Sequence, residues 1–404
     1  MKEFFEELGN TIWNQWKAQN FTLDKFPKIA QKALDLHPPA EHVNLPELLR
    51  DFLLNDRQPL QTESGFGQPE LVVYDSPRFY IQLLFWLDGT TTIHQHEFSG
   101  AFHVMAGSSI HAHFGFENAR PVSPHLHLGD VKMKDISLLE TGSTVPIVSG
   151  KSCIHSLFHL DSPSITVVVR TQHDPGTGPQ FNYLPPHVAV DPDFRDTLTT
   201  RRNQILDLYE VTIDSSYVET VCETIESLDF ERGFHTLQNC RNHLLSLGEW
   251  DSVFAIFKKK HGKLAHCIDA TLAESARRDT IKAMRSSITD SEHRFFLALL
   301  MNVQSKKDLL TLVQKRFPKM KPIEILSRWA EELIEKSDYG ISILDAYFPE
   351  TIECDMDEAA KLFATAFRHF LTGGKSGALR GCSSEDIADL RAAFEASSLR
   401  ALIL

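Results

Sequence analysis

Basic residues are in short supply along this chain. Lys and Arg number 41 against 54 Asp and Glu, a formal net charge of −13 over 404 residues. A nucleic-acid surface needs a concentrated basic patch, so nucleic acid is not expected as a partner. The one conspicuous basic run, Lys258-Lys259-Lys260 with Lys263, reads as a solvated helix face. Cysteine is sparse and scattered, with six residues at 153, 222, 240, 267, 354 and 382 and no Cys-x-x-Cys. That pattern excludes a disulfide framework and suits reduced thiols in a cytoplasmic protein. No window approaches eighteen uninterrupted apolar residues, which excludes a membrane span. The opening MKEFFEELGNTIWNQW carries charges where a signal peptide needs an apolar core. No fixed period marks a repeat family.

What is present is ordinary globular material, 42% hydrophobic and 24% charged, and long enough for two domains or more. Phe4, Phe5, Leu8, Ile12, Trp13 and Trp16 fall at helical spacing over residues 1–20. Asp24–Leu36 and Leu45–Leu54 predict two more helices, parted by Pro38-Pro39, and 56–70 reads as loop. From Glu70 to about Thr171 the apolar period approaches two. Turn signals recur at Asp75-Ser76-Pro77, Asp88-Gly89, Gly107, Gly142-Ser143, Ser149-Gly150 and Asp161-Ser162-Pro163. Many short strands at close spacing predict a sandwich or small barrel. Residues 172–198, with five prolines and two glycines, read as an extended connector over that barrel. Beyond Arg201 the pattern is helical. Leu237, Cys240, Leu244 and Leu247 share one face, and helices are predicted over 214–228, 250–260, 291–302, 306–316, 322–337, 357–371 and 384–397. Successive helices with short loops argue for a bundle or stack. The expected organisation is therefore N-terminal helices over 1–60, a β domain over 61–198 and an α-helical domain over 199–404, an α+β fold.

The chemistry concentrates in RFYIQLLFWLDGTTTIHQHEFSGAFHVMAG, residues 78–107. The apolar run Ile81–Leu87 predicts a buried strand, turned by Asp88-Gly89. On the strand that follows, His94 and His96 point to the same face, a spacing suited to one metal ion. Gly100 and Gly107 bracket a further short strand.

Gly89-x4-His94-x-His96, with Gly107 eleven residues on, resembles the first motif of the cupins, small β-barrels (double-stranded β-helices) that hold a metal. The second cupin motif resembles PIVSGKSCIHSLFHLDSP, which implies His155 as third ligand, with His159 or His103 as alternatives. The likeness is nearest to thiol dioxygenases of the cysteine dioxygenase type over roughly 78–107 and 150–171. Those enzymes use three histidines and no carboxylate, and the fourth-ligand Glu common in other cupins would fall at Gly100. The resemblance implies Fe(II), or another first-row divalent metal, on His94, His96 and His155. It further implies O₂ and a small-molecule substrate. Competing pairs His111/His113 and His125/His127 lack the glycine frame and read as surface or core histidines. His103 is a candidate outer-sphere donor. Glu97 lies off the ligand face.

Departures from the thiol-dioxygenase pattern bear on the substrate. No Arg stands in Gln68–Val73, where that family binds a carboxylate. The crosslinking Cys would fall at Gly100 or Ala101, and the relay His and Tyr at Val168 and Arg170, leaving only Thr166. Cysteine is therefore not the expected substrate. Thr166, Val168 and Arg170 share a strand face, so Arg170 is a candidate anchor for a carboxylate or phosphate, or else an ion-paired strand-end residue. Arg78, Tyr80, Gln82, Leu84 and Trp86 share another face by period two. The resulting candidates are Arg170, His103 and Tyr80 as catalytic residues, and Trp86, Gln82, Arg170 and Thr166 as substrate-binding ones. The expected function is a non-haem iron cupin oxygenase. Alternatives are a 2-oxoglutarate-dependent hydroxylase, which normally uses His-x-Asp/Glu, and a non-catalytic metal or ligand sensor. In the sensor case the helical domain would bind a protein partner or a second copy.

Overall fold

The structure, a computed structural model, describes residues 2–62, 66–212, 216–374, 379 and 381–402. Four helices come first: α1 (Lys2–Ala18), α2 (Phe26–Leu36), α3 (Pro39–His42) and α4 (Leu45–Leu54). Prolines preset the first turns of α2 and α4, and the Asn44 side chain accepts the Glu47 amide at the start of α4. The apolar stripe of α1 (Phe5, Leu8, Ile12, Trp16) and Ala30, Ala33 and Leu34 of α2 are buried together.

Eleven strands follow among the described residues: β1 (Glu70–Asp75), β2 (Phe79–Trp86), β3 (Ile93–His96), β4 (Gly100–Ala106), β5 (Ser108–Pro121), β6 (Leu126–Glu140), β7 (Thr144–Ile147), β8 (Gly150–His159), β9 (Ser164–Thr171), β10 (Asn182–Leu184) and β11 (Val188–Val190). They form two sheets. One is five-stranded in the order β1-β2-β9-β4-β7; the other runs β10-β11-β6-β5-β8-β3 and closes on itself through β3 and β10. Alternation along the strands separates the layers. Phe79, Ile81, Leu83 and Phe85 of β2, with Ile165, Val167 and Val169 of β9, pack under the N-terminal helices. Leu84, Trp86, Phe102 and Val168 face the other way, against Leu139 and Leu157 of the closed sheet. Ile93, Ala112, Phe114, Val131, Ile154, Tyr183 and Ala189 form a separate cluster within the closed sheet. The space that matters for function lies between the two sheets, outside that cluster.

The connector expected over 172–198 contains β10 and β11, which complete the closed sheet. Three-residue strands among prolines and glycines leave no period to read, and cross-strand pairing supplies what local propensity lacks.

The remaining helices are α5 (Thr197–Thr212), α6 (Tyr217–Ser227), α7 (Phe230–Ser246), α8 (Trp250–His261), α9 (Ile268–Ser287), α10 (Ser291–Asn302), α11 (Lys306–Arg316), α12 (Pro322–Lys336), α13 (Asp338–Tyr347), α14 (Met356–Leu371) and α15 (Ser384–Ala396). Helices α5, α9 and α13 lie outside the ranges that the sequence predicts as helical. The start of the helix expected over 214–228 falls on 214 and 215, outside the described residues. Helix α10 is buried on every side from Arg294 to Asn302, so it is the centre of its layer. The helices do not form a core apart from the strands. Leu126, Leu128 and Val188 share one apolar cluster with α5–α9, and Ile110, Leu138, Phe158 and Leu160 share another with α9–α15. Among the described residues no helix is long and apolar enough to cross a membrane.

Candidate metal centre

Strand β3 pairs with β8 so that His94 lies directly opposite His155, and the register slips before His96, which faces Gly150. Ile93 points into the closed sheet's own cluster, and Gln95 donates to the Pro179 carbonyl and accepts from the Tyr183 hydroxyl. His94 and His96 take the opposite face, toward β2, β4 and β9. With His155 they form a buried cluster whose ligand nitrogens all lie within 4.8 Å of one another.

The arrangement fits a metal ion. His94 Nδ1 donates to the Thr92 carbonyl at 2.8 Å, which leaves Nε2 with its lone pair, buried and without a protein partner. His96 Nε2 and His155 Nε2 stand 2.8 Å apart. Adjacent ligand nitrogens, each about 2.1 Å from one ion in octahedral geometry, would stand about 3 Å apart. Burial draws the pKa of all three rings down. For His94 the Thr92 carbonyl opposes this; His96 is lowered further by His94 and Arg170, and His155 by His94, His96 and His111. All three are held neutral, the ligating form.

Around the histidines the two sheets enclose a cavity of about 40 Å³. Its walls are mostly apolar: Leu84, Trp86, Phe98, Phe102, Leu157 and Val168. Polar groups enter at few points. Trp86 Nε1 donates to Thr166 Oγ1 at 3.2 Å, and Gln82 is buried with its carbonyl oxygen unpaired. Of the lining residues only Phe66 and Arg170 are not fully buried, so they mark the mouth. Phe66 packs its ring 5.3 Å from Trp86 and 6.0 Å from His94. The Arg170 guanidinium lies 3.5 Å over the Phe98 ring and 5.2 Å over Tyr80. It donates to the carbonyls of Thr171 and Gln172 at 3.3 Å. Burial lowers its pKa, opposed by Tyr80, Glu70, Glu97 and Asp174.

Gly100 has a steric reason. A Cβ there would sit 1.9 Å from the Val169 carbonyl oxygen, because β4 and β9 approach closely at that point. No glutamate fits, and no carboxylate lines the cavity among the described residues.

Of the residues expected at the site, Gln82, Trp86, Thr166, Arg170 and the three histidines are brought together. His103 is not. It lies on the face of β4 that carries Ala101 and Met105, against the N-terminal helices, with Nδ1 bonded to Thr144 Oγ1 at 2.9 Å. One residue of alternation decides this. Tyr80 stands under Arg170 rather than in the cavity wall. His159 is buried outside the ligand cluster, stacked on Trp86 at 4.5 Å and bonded to Ser109 Oγ at 2.9 Å. His125 pairs with Asp191 and stacks on Phe194, and His127 packs on Phe181. Glu97 accepts the Gln180 amide and pairs with His173. His111, read as a core or surface residue, contacts the site: its Nε2 lies 2.8 Å from His155 Nδ1. Only the pairing of β5 with β8 brings them together, and no local signal marks it.

A larger cleft of about 630 Å³ lies between Val190–Asp196 and helices α5 and α7. It shares no lining residue with the histidine cavity, and its charges include the Arg232–Asp196 and Arg232–Asp229 pairs.

No family model matches the chain, and no curated protein matches it. Solved structures do. KdgF from Halomonas sp. is similar at 15% identity over 30% of this chain and 94% of its own, with a TM-score of 0.21. Hydroquinone 1,2-dioxygenase from Sphingomonas sp. TTNP3, with 4-hydroxybenzoate bound, is similar at 12% over 27% of this chain and 68% of its own, TM-score 0.21. Hydroquinone 1,2-dioxygenase PnpCD, in complex with Cd2+ and 4-hydroxybenzonitrile, is similar at 15% over 26% and 63%, TM-score 0.20. Likeness at these scores carries no weight for the activity of this chain.

Proposed function

We propose that this chain is a cupin-type, non-haem iron(II) oxygenase that acts with O₂ on a small anionic substrate. The observation that carries the reading is the convergence of three buried, neutral imidazoles on one point of a mostly apolar cavity with an arginine at its mouth. His94, His96 and His155 would hold the ion, and no carboxylate among the described residues lines the cavity to complete the donor set. When bound, the iron supplies O₂ activation beside the substrate. The chain supplies the rest. The Thr92 carbonyl orients His94. Leu84, Phe98, Phe102 and Val168 exclude water, which strengthens polar contacts inside. Arg170, its guanidinium 3.5 Å over the Phe98 ring with Nε and Nη2 on the Thr171 and Gln172 carbonyls, would turn its Nη1 side to a carboxylate or phosphate. A cavity near 40 Å³ is far below the several hundred that drug-sized ligands occupy, so the substrate has few non-hydrogen atoms.

The test is metal analysis followed by oxygen uptake. Protein reconstituted anaerobically should hold one iron per chain, and His94→Ala, His96→Ala or His155→Ala should lose it while keeping the fold. The loaded protein should then consume O₂ with some member of a panel of small carboxylates, and poorly with cysteine. Stoichiometric iron without oxygen uptake across the panel would favour a sensor; failure to retain any first-row metal would sink the reading.

A further inference from the structure

Resting on the iron reading above, we propose that His111 is a positioning residue for the metal centre, holding His155 in the tautomer that presents Nε2 to the ion. A neutral imidazole carries one N–H and one lone pair. A ring that ligates through Nε2 keeps its proton on Nδ1 and usually donates it to a carboxylate, a backbone carbonyl or water; His96 Nδ1 is buried without such a partner. His94 follows that habit with the Thr92 carbonyl at 2.8 Å. His155 does not: the group 2.8 Å from its Nδ1 is His111 Nε2, another ring nitrogen. Both rings are buried, at 1% and 2% exposure.

The contact has two self-consistent directions. In one, His111 donates from Nε2 to His155 Nδ1. His155 then carries its own proton on Nε2 and donates it to His96 Nε2, 2.8 Å away. That chain closes the site with hydrogen bonds and turns no His155 lone pair toward a metal. In the other, His155 donates from Nδ1 to His111 Nε2, the His111 proton sits on Nδ1, and His155 Nε2 is free to ligate. The protons are the same in number; only the direction of donation changes. His111 therefore selects between a closed site and an open one. Its place is set by its neighbours: β5 runs beside β8 with His113 opposite His155, and the His111 ring lies 4.1 Å from that of His113 and 5.8 Å from that of Phe102. Because His94 is oriented by backbone and His155 by a side chain, substitution can remove only the second support.

The experiment uses the full-length, metal-free protein with Co(II) as probe, reading affinity by chelator competition and geometry by the d–d absorption bands. His111→Leu keeps bulk but leaves the His155 Nδ1–H without an acceptor. It should weaken Co(II) binding by about 10- to 100-fold and alter the bands. His111→Gln, which presents an amide oxygen where Nε2 stood, should restore affinity to within several-fold of wild type. Histidine-selective ¹⁵N NMR of the Zn(II)-loaded wild-type protein reads the tautomer directly, and His155 should be protonated on Nδ1. Wild-type affinity and bands in His111→Leu, or His155 ligating through Nδ1, would overturn the assignment and leave the metal reading standing. Absence of Co(II) and Zn(II) binding by the wild type would sink both. If His111→Leu does not fold, the NMR measurement decides.

Discussion

Single side chains at the cavity make distinct, measurable demands. Gly100 is where β4 and β9 approach too closely for any Cβ. Gly100→Ala should therefore destabilise the fold by about 1–3 kcal/mol or more, read by chemical denaturation, without raising metal affinity. Gly100→Glu should not yield a four-ligand site; tighter metal binding in that variant would show that the strands yield easily. Arg170 makes a different prediction. Arg170→Met should weaken a substrate anion by roughly ten- to a hundredfold, and Arg170→Lys should recover only part, because the charge stays while the fork is lost. Iron content should not change in either. Unaltered KM in Arg170→Met would place the anchor elsewhere. His159 offers a pH test. Burial takes its pKa down to about 3, whereas in the unfolded chain it titrates near 6.5. Between those values the unfolded state takes up a proton that the folded state refuses. Its contribution is thus complete above about pH 6.5 and lost as pH falls toward 3, at roughly 1.4 kcal/mol per pH unit. Urea stability of the metal-free protein should fall between pH 7 and 5, and His159→Gln should reduce that slope by about one proton. An unchanged slope would mean His159 is not buried neutral.

At the scale of elements, α9 braces the cavity wall at Trp86 from behind. Arg285, buried on α9, donates from Nη2 to the His159 carbonyl at 2.8 Å and pairs with Asp88 in the turn that follows β2. His159 in turn stacks on Trp86, whose indole lines the cavity. A helix distant in sequence thus holds the end of β8 and the turn between β2 and β3. Arg285→Met should cost about 2–4 kcal/mol. The His159 carbonyl would lose a donor in the interior, whereas Asp88, partly exposed, can turn to water. A loss under about 0.5 kcal/mol by chemical denaturation would show that the brace is dispensable. Pairing of β2 with β9 and of β9 with β4 does the complementary work on the other wall, carrying Gln82, Thr166 and Arg170 to one side and a largely apolar face, interrupted by His103, to the helices on the other.

At the scale of the whole molecule, strands and C-terminal helices share their apolar clusters. Ile110, Leu138, Phe158 and Leu160 are buried only because α9–α15 cover them, and Leu126, Leu128 and Val188 only because α5–α9 do. Cutting the chain after residue 198 should therefore give a protein that aggregates or fails to fold, since both apolar patches would face water. A soluble, monomeric fragment of residues 1–198 with a cooperative melt would refute this. The acidic balance of the chain bears on solubility and leaves the fold undetermined.

Local pattern alone determined the N-terminal helices, the run of strands from Glu70 to Thr171 and the helical character beyond Arg201. Each is written in apolar periodicity over enough residues to outweigh noise. It also placed His94 and His96 on one face, because alternation along a strand needs no tertiary information. Alternation equally put Gln82 with Trp86, and Thr166 with Arg170. What alternation cannot say is which of two faces looks inward. His103 shares β4 with Phe102, yet Phe102 lines the cavity while His103 meets the N-terminal helices. Register and pairing, which depend on residues far apart in the chain, set the rest. They place His155 opposite His94, bring His111 against His155, close the second sheet with three-residue strands, and shut out any side chain at Gly100. These are long-range contacts whose energy comes from packing and cross-strand hydrogen bonds, so no short stretch of sequence encodes them.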